Sequence, residues 1–559
     1  MAGIEQLLRS RLATAFALVV EGHVDPAVQR SGHADFQSNA ALGLARRTGS
    51  DPRALAAKVL AHADLDDLCD EIAIAGPGFI NLTVADGVLG RMVGAMAADE
   101  RLGVSTVEPE TVVVDYAAPN AAKEMHVGHL RSIVIGDAAV RLLEWLGHRV
   151  VRQNHLGDWG TPFGMLLEHL VDLDESHADL TAVGEFYPAA RRKFDADAAF
   201  RQRSRQRVVL LQAGDEATMR LWHRLISLSQ QYLMSLYDRL DVRLRETDFV
   251  GESFYNDRLD GVVADLEQLG LLRTSDGAQC VFPPGFTGRD GAPLPLIIRK
   301  SDGGYGYAAT DLAAIRHRVG ALGATRLLYV VGLPQRQHLD MVFAVAAQAG
   351  WLTPPVRAAQ VGFGSVLGAD GKMLASRKGG TVKLADLLDE AVERAAALVG
   401  NEEVAAAVAI GAVKYADLSN DRVKDYVFDF DRMLALNGNT SVYLQYAHAR
   451  VRSIFQRGDA TPIRDGSPVT VEHPAEHALA IELLTFPVVV DQVAESFEFH
   501  QLAGYLYGLA TTFTAFYSKC PVLKAEEPVR AGRLVLCDLT ARVLRTGLGL
   551  LGIAAPDRM

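Results

Sequence analysis

The chain has 559 residues, of which 49% are hydrophobic and 22% charged, a balance typical of a globular protein with three or four domains. We find no run of 18 or more apolar residues and the N-terminus has the pattern of an amphipathic helix, so we expect neither a membrane-spanning segment nor a secretory signal. Four scattered cysteines predict a reduced, cytoplasmic protein, and a net charge of −12 taken alone argues against a nucleic-acid partner.

The first part of the sequence predicts a small α+β domain, which we place at 1–106. Helical patterns cover 3–20 and 52–68, and 76–84 has the pattern of a turn followed by a strand. The segment Glu108–Glu110 predicts a linker to the next domain.

A βαβ unit follows the linker. The apolar run Val112–Val114, a polar turn, a helical pattern that stops at Gly147 and a second apolar run put His126 and His129 at the start of a helix. A helix start offers unpaired N–H groups and a positive dipole end, which favour phosphate, and Gly128 would let a phosphate or a flat ring approach the backbone. This segment predicts a site for a nucleoside triphosphate.

The two histidines have simpler interpretations as well. Zinc requires three or four ligands, and the four cysteines lie far apart without a CxxC pair, so we expect no metal site and no bound zinc. For an isolated H-x-G-H, partly buried structural histidines would be the usual explanation.

Strand and helix alternate again further along the chain, with a strand at 327–331, a helix at 338–349 and a strand at 358–366. Such alternation predicts a doubly wound parallel sheet, whose ligands lie at the carboxyl ends of the strands. We place this domain at 107–410.

Two further regions complete the organisation. Charged helix with turns near 275–293 predicts a mostly helical insertion over about 165–300, and the pattern is helical throughout the C-terminal domain, 411–559. The insertion carries a basic run that could contact RNA phosphates or form an ordinary solvated helix face, and the sequence leaves both open. Its members are Arg191, Arg192, Lys193, Arg201, Arg203, Arg205 and Arg207.

Several motifs occur along the chain in a fixed order. They are Pro119–Ser132, Asn154–Thr161, Gly251–Asn256, Tyr307–Ala314, Gln335–His338, Gly379–Leu384 and Leu550–Met559. In this order and spacing they resemble the arginyl-tRNA synthetase family of class I aminoacyl-tRNA synthetases, and Ala34–Ala41 resembles the added N-terminal domain of that family. The resemblance implies a multidomain α/β fold. Its parts would be a class I Rossmann-like (HUP-type) catalytic domain with a parallel sheet, an α+β N-terminal added domain that contacts tRNA, and an all-α C-terminal anticodon-binding domain.

The resemblance also implies an arginine–tRNA ligase activity. The substrates would be L-arginine, ATP with Mg²⁺ and tRNA(Arg), and we expect a cytoplasmic monomer without membrane attachment. Two alternatives stay open. One is another class I synthetase or a nucleotidyltransferase with the same histidine loop, and the other is a synthetase-derived binding protein that senses tRNA or arginine without catalysis.

The resemblance assigns site residues one by one. Arginine would be bound by Asn120, His126, Glu252, Tyr307, Asp311 and Gln335, and ATP by His126, Gly128, His129, Met373 and Ser376. From the residues alone, Asp311 would instead cap the helical pattern Leu312–Leu322, while Glu252 would lie in a surface loop and Tyr307 would be half-buried.

One motif departs from the family. The mobile loop K-M-S-K-S stands here as Lys372-Met373-Leu374-Ala375-Ser376, so its second lysine is missing. We therefore expect Lys123, just before the histidine motif, to supply most of the positive charge, with Lys372 or Arg377 assisting His126 and His129 in catalysis.

The anticodon signature of the family falls on Tyr443, Gln445, Tyr446 and Arg450. Tyrosine rings can stack on bases and arginine can bind phosphate or a base edge, so these residues are candidates for tRNA binding. Tyr443, Tyr446 and Arg450 also share one helical face, and packing between helices is an equal alternative.

Overall fold

The structure is a computed structural model that describes residues 3–173, 183–374, 381–399 and 401–559. The chain divides into two compact units. The terminal unit comprises Met1–Thr106, Ala435–Gly549 and Ala554–Met559, and the central unit comprises Val107–Leu434 and Leu550–Ile553.

The N-terminal part of the terminal unit is the α+β structure that the sequence predicts. Its elements are α1 (Ile4–Val19), β1 (Val28–Arg30), β2 (Phe36–Ser38), α2 (Ala40–Thr48), α3 (Pro52–Leu60), β3 (Cys69–Ala75), β4 (Phe79–Val84) and α4 (Asp86–Ala98). The antiparallel sheet has the order β1-β2-β4-β3. The helix predicted over 52–68 ends at Leu60, and in the segment that follows Asp64 and Asp67 bind Arg11 with N–O distances of 2.6 and 3.0 Å.

The central unit contains the predicted alternation of strand and helix. Its elements up to the insertion's end are β5 (Thr111–Asp115), α5 (Val127–Leu146), β6 (Arg149–Gln153), α6 (Pro162–Asp172), α7 (Val183–Ala196), α8 (Ala198–Gln212), α9 (Glu216–Arg239), α10 (Asn256–Gln268), β7 (Arg273–Ser275), β8 (Ala278–Val281) and β9 (Leu296–Arg299). It continues with α11 (Tyr307–Gly320), β10 (Arg326–Tyr329), α12 (Arg336–Gln348), β11 (Arg357–Gln360), β12 (Val366–Leu367), α13 (Leu384–Val399), α14 (Glu402–Leu418), β13 (Tyr426–Val427) and α15 (Phe430–Met433).

The main sheet of the central unit has the order β11-β10-β5-β6 with all strands parallel, which confirms the predicted parallel sheet. Its middle strand β5 buries Val112, Val113 and Val114 completely, as expected for a strand covered on both faces. Helix α5 ends at Gly147 with φ of 108°, a left-handed conformation that glycine adopts without strain.

Two details differ from the sequence prediction. The single strand expected at 358–366 is split, because the chain leaves the main sheet at Gly364 and β12 pairs with β13. A Cβ on Gly364 would lie 2.8 Å from the backbone of Lys424, so this turn requires glycine. The insertion also contains a small antiparallel sheet, β7-β8-β9, where the sequence predicted only turns.

Two buried cations hold distant parts of the central unit together. Arg131 on α5, 1% exposed, binds Asp417 on α14 at 3.1 Å and donates to the carbonyl of Lys424. Lys414 donates to the carbonyl of Gly552 at 2.7 Å and so binds the returning C-terminal segment to α14.

The C-terminal part of the terminal unit is helical. Its helices are α16 (Ser441–Gly458), α17 (Pro474–Leu484), α18 (Phe486–Ser496), α19 (Phe499–Lys519) and α20 (Val529–Leu550). His477 on α17 joins this bundle to the N-terminal part, with Nδ1 2.7 Å from Asp86 and Nε2 2.9 Å from Asp35.

One stretch in the part of the chain that the structure describes, Pro474–Ser496, is long and apolar enough to cross a membrane on composition alone. Half of its most apolar window is buried inside the structure, as in the core helices of many globular proteins, so it is only a weak indication of a membrane segment.

Candidate active site

The turn between β5 and α5 has an unusual backbone. Ala117, Ala118 and Ala122 have φ values of 71°, 40° and 58°, in the left-handed region that alanine rarely adopts. Such residues cost about 1–3 kcal/mol each and persist only where the surroundings hold them, which is common at functional sites. The strain therefore marks 116–122 as a turn whose shape is imposed by its neighbours.

Three side chains behind this turn hold its backbone. Ser132 Oγ accepts from Ala117 N at 3.0 Å, and Ser229 Oγ accepts from Ala122 N at 3.0 Å. Tyr232 Oη accepts from Met125 N at 3.3 Å. Ser229 and Tyr232 lie on α9, about a hundred residues away, and no local sequence signal pointed to them.

His126 and His129 cap the start of α5 reciprocally. His126 Nδ1 accepts from Gly128 N, and His129 Nδ1 accepts from His126 N, each at 3.1 Å. The rings lie 4.1 Å apart, and a Cβ on Gly128 would meet the His126 ring at 2.8 Å. Glycine is therefore needed here to admit the His126 ring.

Both histidines are neutral at pH 7. Burial lowers the pKa of His126, and burial together with nearby His126 and Lys123 lowers the pKa of His129 to about 4. Because Nδ1 is an acceptor in each ring, the proton of the neutral imidazole is on Nε2. Each histidine thus presents one N–H donor.

An extended strip beyond β6 connects the histidine turn to the acidic side of the site. Gly157 exchanges backbone hydrogen bonds with Pro119 and Ala121 on one edge, and Leu156 O accepts from Glu252 N at 3.0 Å on the other. A Cβ on Gly157 would lie 2.3 Å from Asn120 Oδ1. Asn120 and Glu252 thus flank the same strip.

Glu252 is a partly buried carboxylate with an elevated pKa. Burial raises its pKa to about 7, and the nearby charges of Asp158 and Asp311 add to the effect. Within the described part of the chain its carboxylate has no hydrogen-bond partner. Asp158, by contrast, accepts from the Ser253 amide at 2.8 Å and from its hydroxyl at 2.6 Å, which fixes the turn that carries Glu252. The effect of Asp311 on the pKa of Glu252 indicates that these two carboxylates lie close to each other.

Asp311 does not cap a helix, and the prediction from its local sequence is wrong. Helix α11 begins at Tyr307 with Gly306 at the N-cap, so Asp311 lies in the second turn. Its Oδ2 is 2.6 Å from Nε2 of His338, and this contact raises the pKa of His338. His338 belongs to a motif noted in the sequence, but its pairing with Asp311 spans 27 residues and had no local signal.

Tyr307 and Gln335 lie on the elements that carry Asp311 and His338. Tyr307 is one helical turn before Asp311 and is 76% exposed, rather than half-buried as its local pattern indicated. Gln335 is exposed and precedes His338 by three residues, at the start of α12.

Lys123 and Lys372, which the sequence predicts to neutralise charge on the triphosphate, lie in two different turns. Lys123 is exposed in the strained turn, and its Nζ lies 4.5 Å from the centroid of the Tyr187 ring. Lys372 and Met373 are exposed in a hairpin in which Met373 pairs with Leu367. Ala375, Ser376 and Arg377 lie outside the described residues.

The segment after this loop is attached to the histidine turn. Val127 N donates to Val382 O at 3.0 Å and Leu384 N donates to Met125 O at 2.9 Å. Lys383 Nζ is 2.9 Å from Glu124. The start of α5 is therefore held from the side of the loop as well.

The tRNA-binding candidates in α16 differ in accessibility. Tyr446 is 51% exposed, and the Arg450 guanidinium lies 4.7 Å from the ring of Tyr517. Tyr443 is partly buried and packs against Tyr507. Gln445 is fully buried and donates to the carbonyl of Ala554, so its side chain is out of reach of RNA in this structure.

Several basic side chains of the run in the insertion form ion pairs. Asp172 binds Lys193 and Arg203, and Glu168 binds Arg207 at 3.0 Å. Arg191 pairs with Asp195 within α7. Among the residues that the structure describes, no group of three or more His, Cys, Asp or Glu side chains could hold a metal ion.

Comparison with known proteins identifies the family. The sequence matches the profile of tRNA synthetases class I (R), catalytic domain, over residues 92–430, which is more than half of the chain. It also matches the DALR anticodon binding domain over 444–559 and the arginyl tRNA synthetase N terminal domain over 3–84.

The chain belongs to the arginyl-tRNA synthetase family.

Individual relatives of the family agree. The chain is 54% identical to an arginine–tRNA ligase of Thermobifida fusca, covering 96% of this chain and 95% of the relative. It is 49% identical to an arginine–tRNA ligase of Streptomyces avermitilis over the whole of both chains. The crystal structure of the Plasmodium falciparum arginyl-tRNA synthetase superposes with a TM-score of 0.86 at 28% identity and covers both chains completely. The class I fold and its helical C-terminal domain are thereby confirmed.

Proposed function

We propose that this chain is an arginine–tRNA ligase. It activates L-arginine with ATP to arginyl-adenylate and transfers arginine to the 3′-terminal adenosine of tRNA(Arg), releasing AMP and pyrophosphate. The observation that carries the proposal is that Glu252, across the Leu156–Gly157 strip from the histidine turn, lies near a second carboxylate, that of Asp311.

The acidic pair suits the arginine side chain. A guanidinium is planar, always charged and best bound by carboxylates that accept from several of its N–H groups. His338 occupies Oδ2 of Asp311 and leaves Oδ1 for the substrate, while the hydrogen bonds between Asp158 and Ser253 fix the turn that carries Glu252. Tyr307 and Gln335 would border the pocket, and Asn120 and His126 would bind the α-amino or carboxylate end.

The chemistry requires positioning and charge stabilisation. An oxygen of the arginine carboxylate attacks the α-phosphorus of ATP, and the bond to the pyrophosphate oxygen breaks, so no activated side chain is needed. His126 and His129 would donate hydrogen bonds from Nε2–H to phosphate oxygens, and the N–H groups of α5 near Gly128 would donate further hydrogen bonds. Lys123 would bring the main positive charge, assisted by Lys372 or Arg377, with Met373 and Ser376 beside the nucleotide. Magnesium would arrive with the triphosphate and supply further charge neutralisation.

The second step requires RNA recognition. We propose that residues 1–106 contact tRNA, that 107–410 catalyse both steps and that 411–559 bind the anticodon. Tyr446, with half of its side chain exposed, and Arg450 are the best candidates for stacking and phosphate contact, with Tyr443 beside them. We further propose that the enzyme is a cytoplasmic monomer. The cysteines support a reducing compartment, since all four are free and buried.

The direct test is aminoacylation by the purified chain with ATP and total tRNA, repeated with each amino acid separately. We expect acid-precipitable label and AMP with arginine only. Formation of labelled RNA with another amino acid, or none with arginine, would contradict the proposal.

The raised pKa of Glu252 predicts a pH dependence for arginine use. The guanidinium binds the ionised carboxylate, and below about pH 7 Glu252 is increasingly protonated. We therefore expect kcat/KM for arginine to rise with pH through about 7 and to level off above that pH. The measurement is the profile of kcat/KM for arginine between about pH 6 and 8. The Glu252→Gln variant is the control, and an unchanged slope in that variant would assign the titration to another group.

A further inference from the structure

The ammonium group of Lys123 lies against an aromatic ring. Its Nζ lies 4.5 Å from the centroid of Tyr187, well inside cation–π distance. Among the side chains that the structure describes, which do not include those of Glu185, Glu402 and Glu403, no carboxylate forms an ion pair with Lys123. The adjacent Glu124 is engaged by Lys383.

The position of the Tyr187 ring is set by the packing of α7. Phe186, the preceding residue, is buried and its ring lies 5.1 Å from that of His169 on α6. Ala190, one turn later, is completely buried. Tyr187 itself is only partly buried, so the helix is fixed by its neighbours while the ring remains available to Lys123.

The choice of an aromatic partner has a chemical consequence. A carboxylate would hold a lysine ammonium but would also cancel its charge and repel an approaching phosphate. An aromatic face attracts the cation through its quadrupole, restricts a side chain with four rotatable bonds and leaves the net charge intact. This arrangement fits a lysine that has to meet a polyanion.

We propose that Tyr187 is a positioning residue that holds the Lys123 ammonium in place for adenylate formation. The inference rests on the proposed function, in which Lys123 neutralises charge on the triphosphate. It adds a residue of the helical insertion to the support of the reacting group.

The test compares Tyr187→Leu with Tyr187→Phe, because leucine keeps apolar bulk without a π-face and phenylalanine keeps the face without the hydroxyl. Adenylate formation is followed by ATP–pyrophosphate exchange with arginine and tRNA(Arg) present. We expect Tyr187→Leu to lower kcat about 5- to 20-fold and Tyr187→Phe to restore it to within about two-fold. Phe194→Leu is the matched control, since this aromatic residue of α7 lies near Arg191 and Arg201 rather than Lys123.

A double-mutant comparison separates this role from a structural one. In a Lys123→Ala background, Tyr187→Leu should have almost no further effect on kcat, because the group that it positions is gone. Equal losses in both backgrounds would overturn the inference, as would a normal rate for Tyr187→Leu while Lys123→Ala is severely impaired. A near-normal rate for Lys123→Ala itself would instead refute the catalytic assignment of Lys123, and the inference with it.

Replacement of Tyr187 by phenylalanines of increasing fluorination gives a second readout. Fluorine weakens the ring quadrupole with little change in shape, so kcat should fall stepwise with each added fluorine. A flat series would show that only the bulk of the ring matters and would contradict the proposal.

Discussion

Replacing Asp311 with Ala is expected to raise the KM for arginine by about 30-fold or more, with the KM for ATP nearly unchanged. Removing one partner from a desolvated charge pair costs about 2–5 kcal/mol, because the remaining charge is left without its counterpart. Here the guanidinium would keep Glu252 as its remaining carboxylate partner. Steady-state kinetics with each substrate varied in turn provide the measurement.

The position of Asp311 within α11 makes this substitution interpretable. Since it lies in the second turn and Gly306 is the N-cap, its loss removes no helix cap, and the melting temperature should change little. Asp265→Ala is a suitable control, because that carboxylate pairs with Arg316 on α11, away from the proposed pocket. Equal changes in both Michaelis constants, or in neither, would exclude Asp311 from guanidinium binding.

Replacing Lys123 with Ala is expected to lower the rate of adenylate formation by about 10²- to 10³-fold. Loss of one charged donor to a transition state commonly has this effect, and the loop at Lys372 lacks the second lysine of its motif. His126 and His129 cannot compensate, because they are neutral at pH 7 and give hydrogen bonds without a full charge. Single-turnover formation of adenylate, with tRNA present, measures the step directly.

A parallel series at Lys372 determines which cation dominates. Lys372→Ala should be less damaging than Lys123→Ala, and Lys123→Arg should recover part of the rate because it restores charge with a different geometry. The reverse order, a nearly normal Lys123→Ala enzyme beside an inactive Lys372→Ala enzyme, would give the role to the loop lysine.

The parts of the site that depend on local pattern were predictable. The apolar runs around α5 and the stop at Gly147 predicted the βαβ unit, and the structure places His126 and His129 at the helix start as expected. These features depend on residues adjacent in sequence, for which periodicity and capping preferences are informative.

The parts that depend on distant contacts were not predictable. The local sequence predicted that Asp311 caps a helix. This prediction failed because Tyr307–Thr310, the first turn of α11, contains two alanines and shows little apolar periodicity. Its partner His338 lies on the next helix, α12, 27 residues later in the sequence. Similarly, the leucine–arginine–serine sequence after His129 does not indicate that Arg131 is buried against Asp417, 286 residues away. Such pairs arise from tertiary packing, which single-sequence periodicity does not contain.

The return of the chain's end to the central unit bears on how the protein is made. Residues 107–434 leave the ribosome before residues 550–553, so Lys414 has no Gly552 carbonyl to bind until that later segment has been synthesised. Residues 1–106 likewise lack their partner helices until residues 435–549 have been synthesised. A polypeptide truncated before residue 435 can therefore complete neither unit, and we expect activity only from chains translated at least through residue 553.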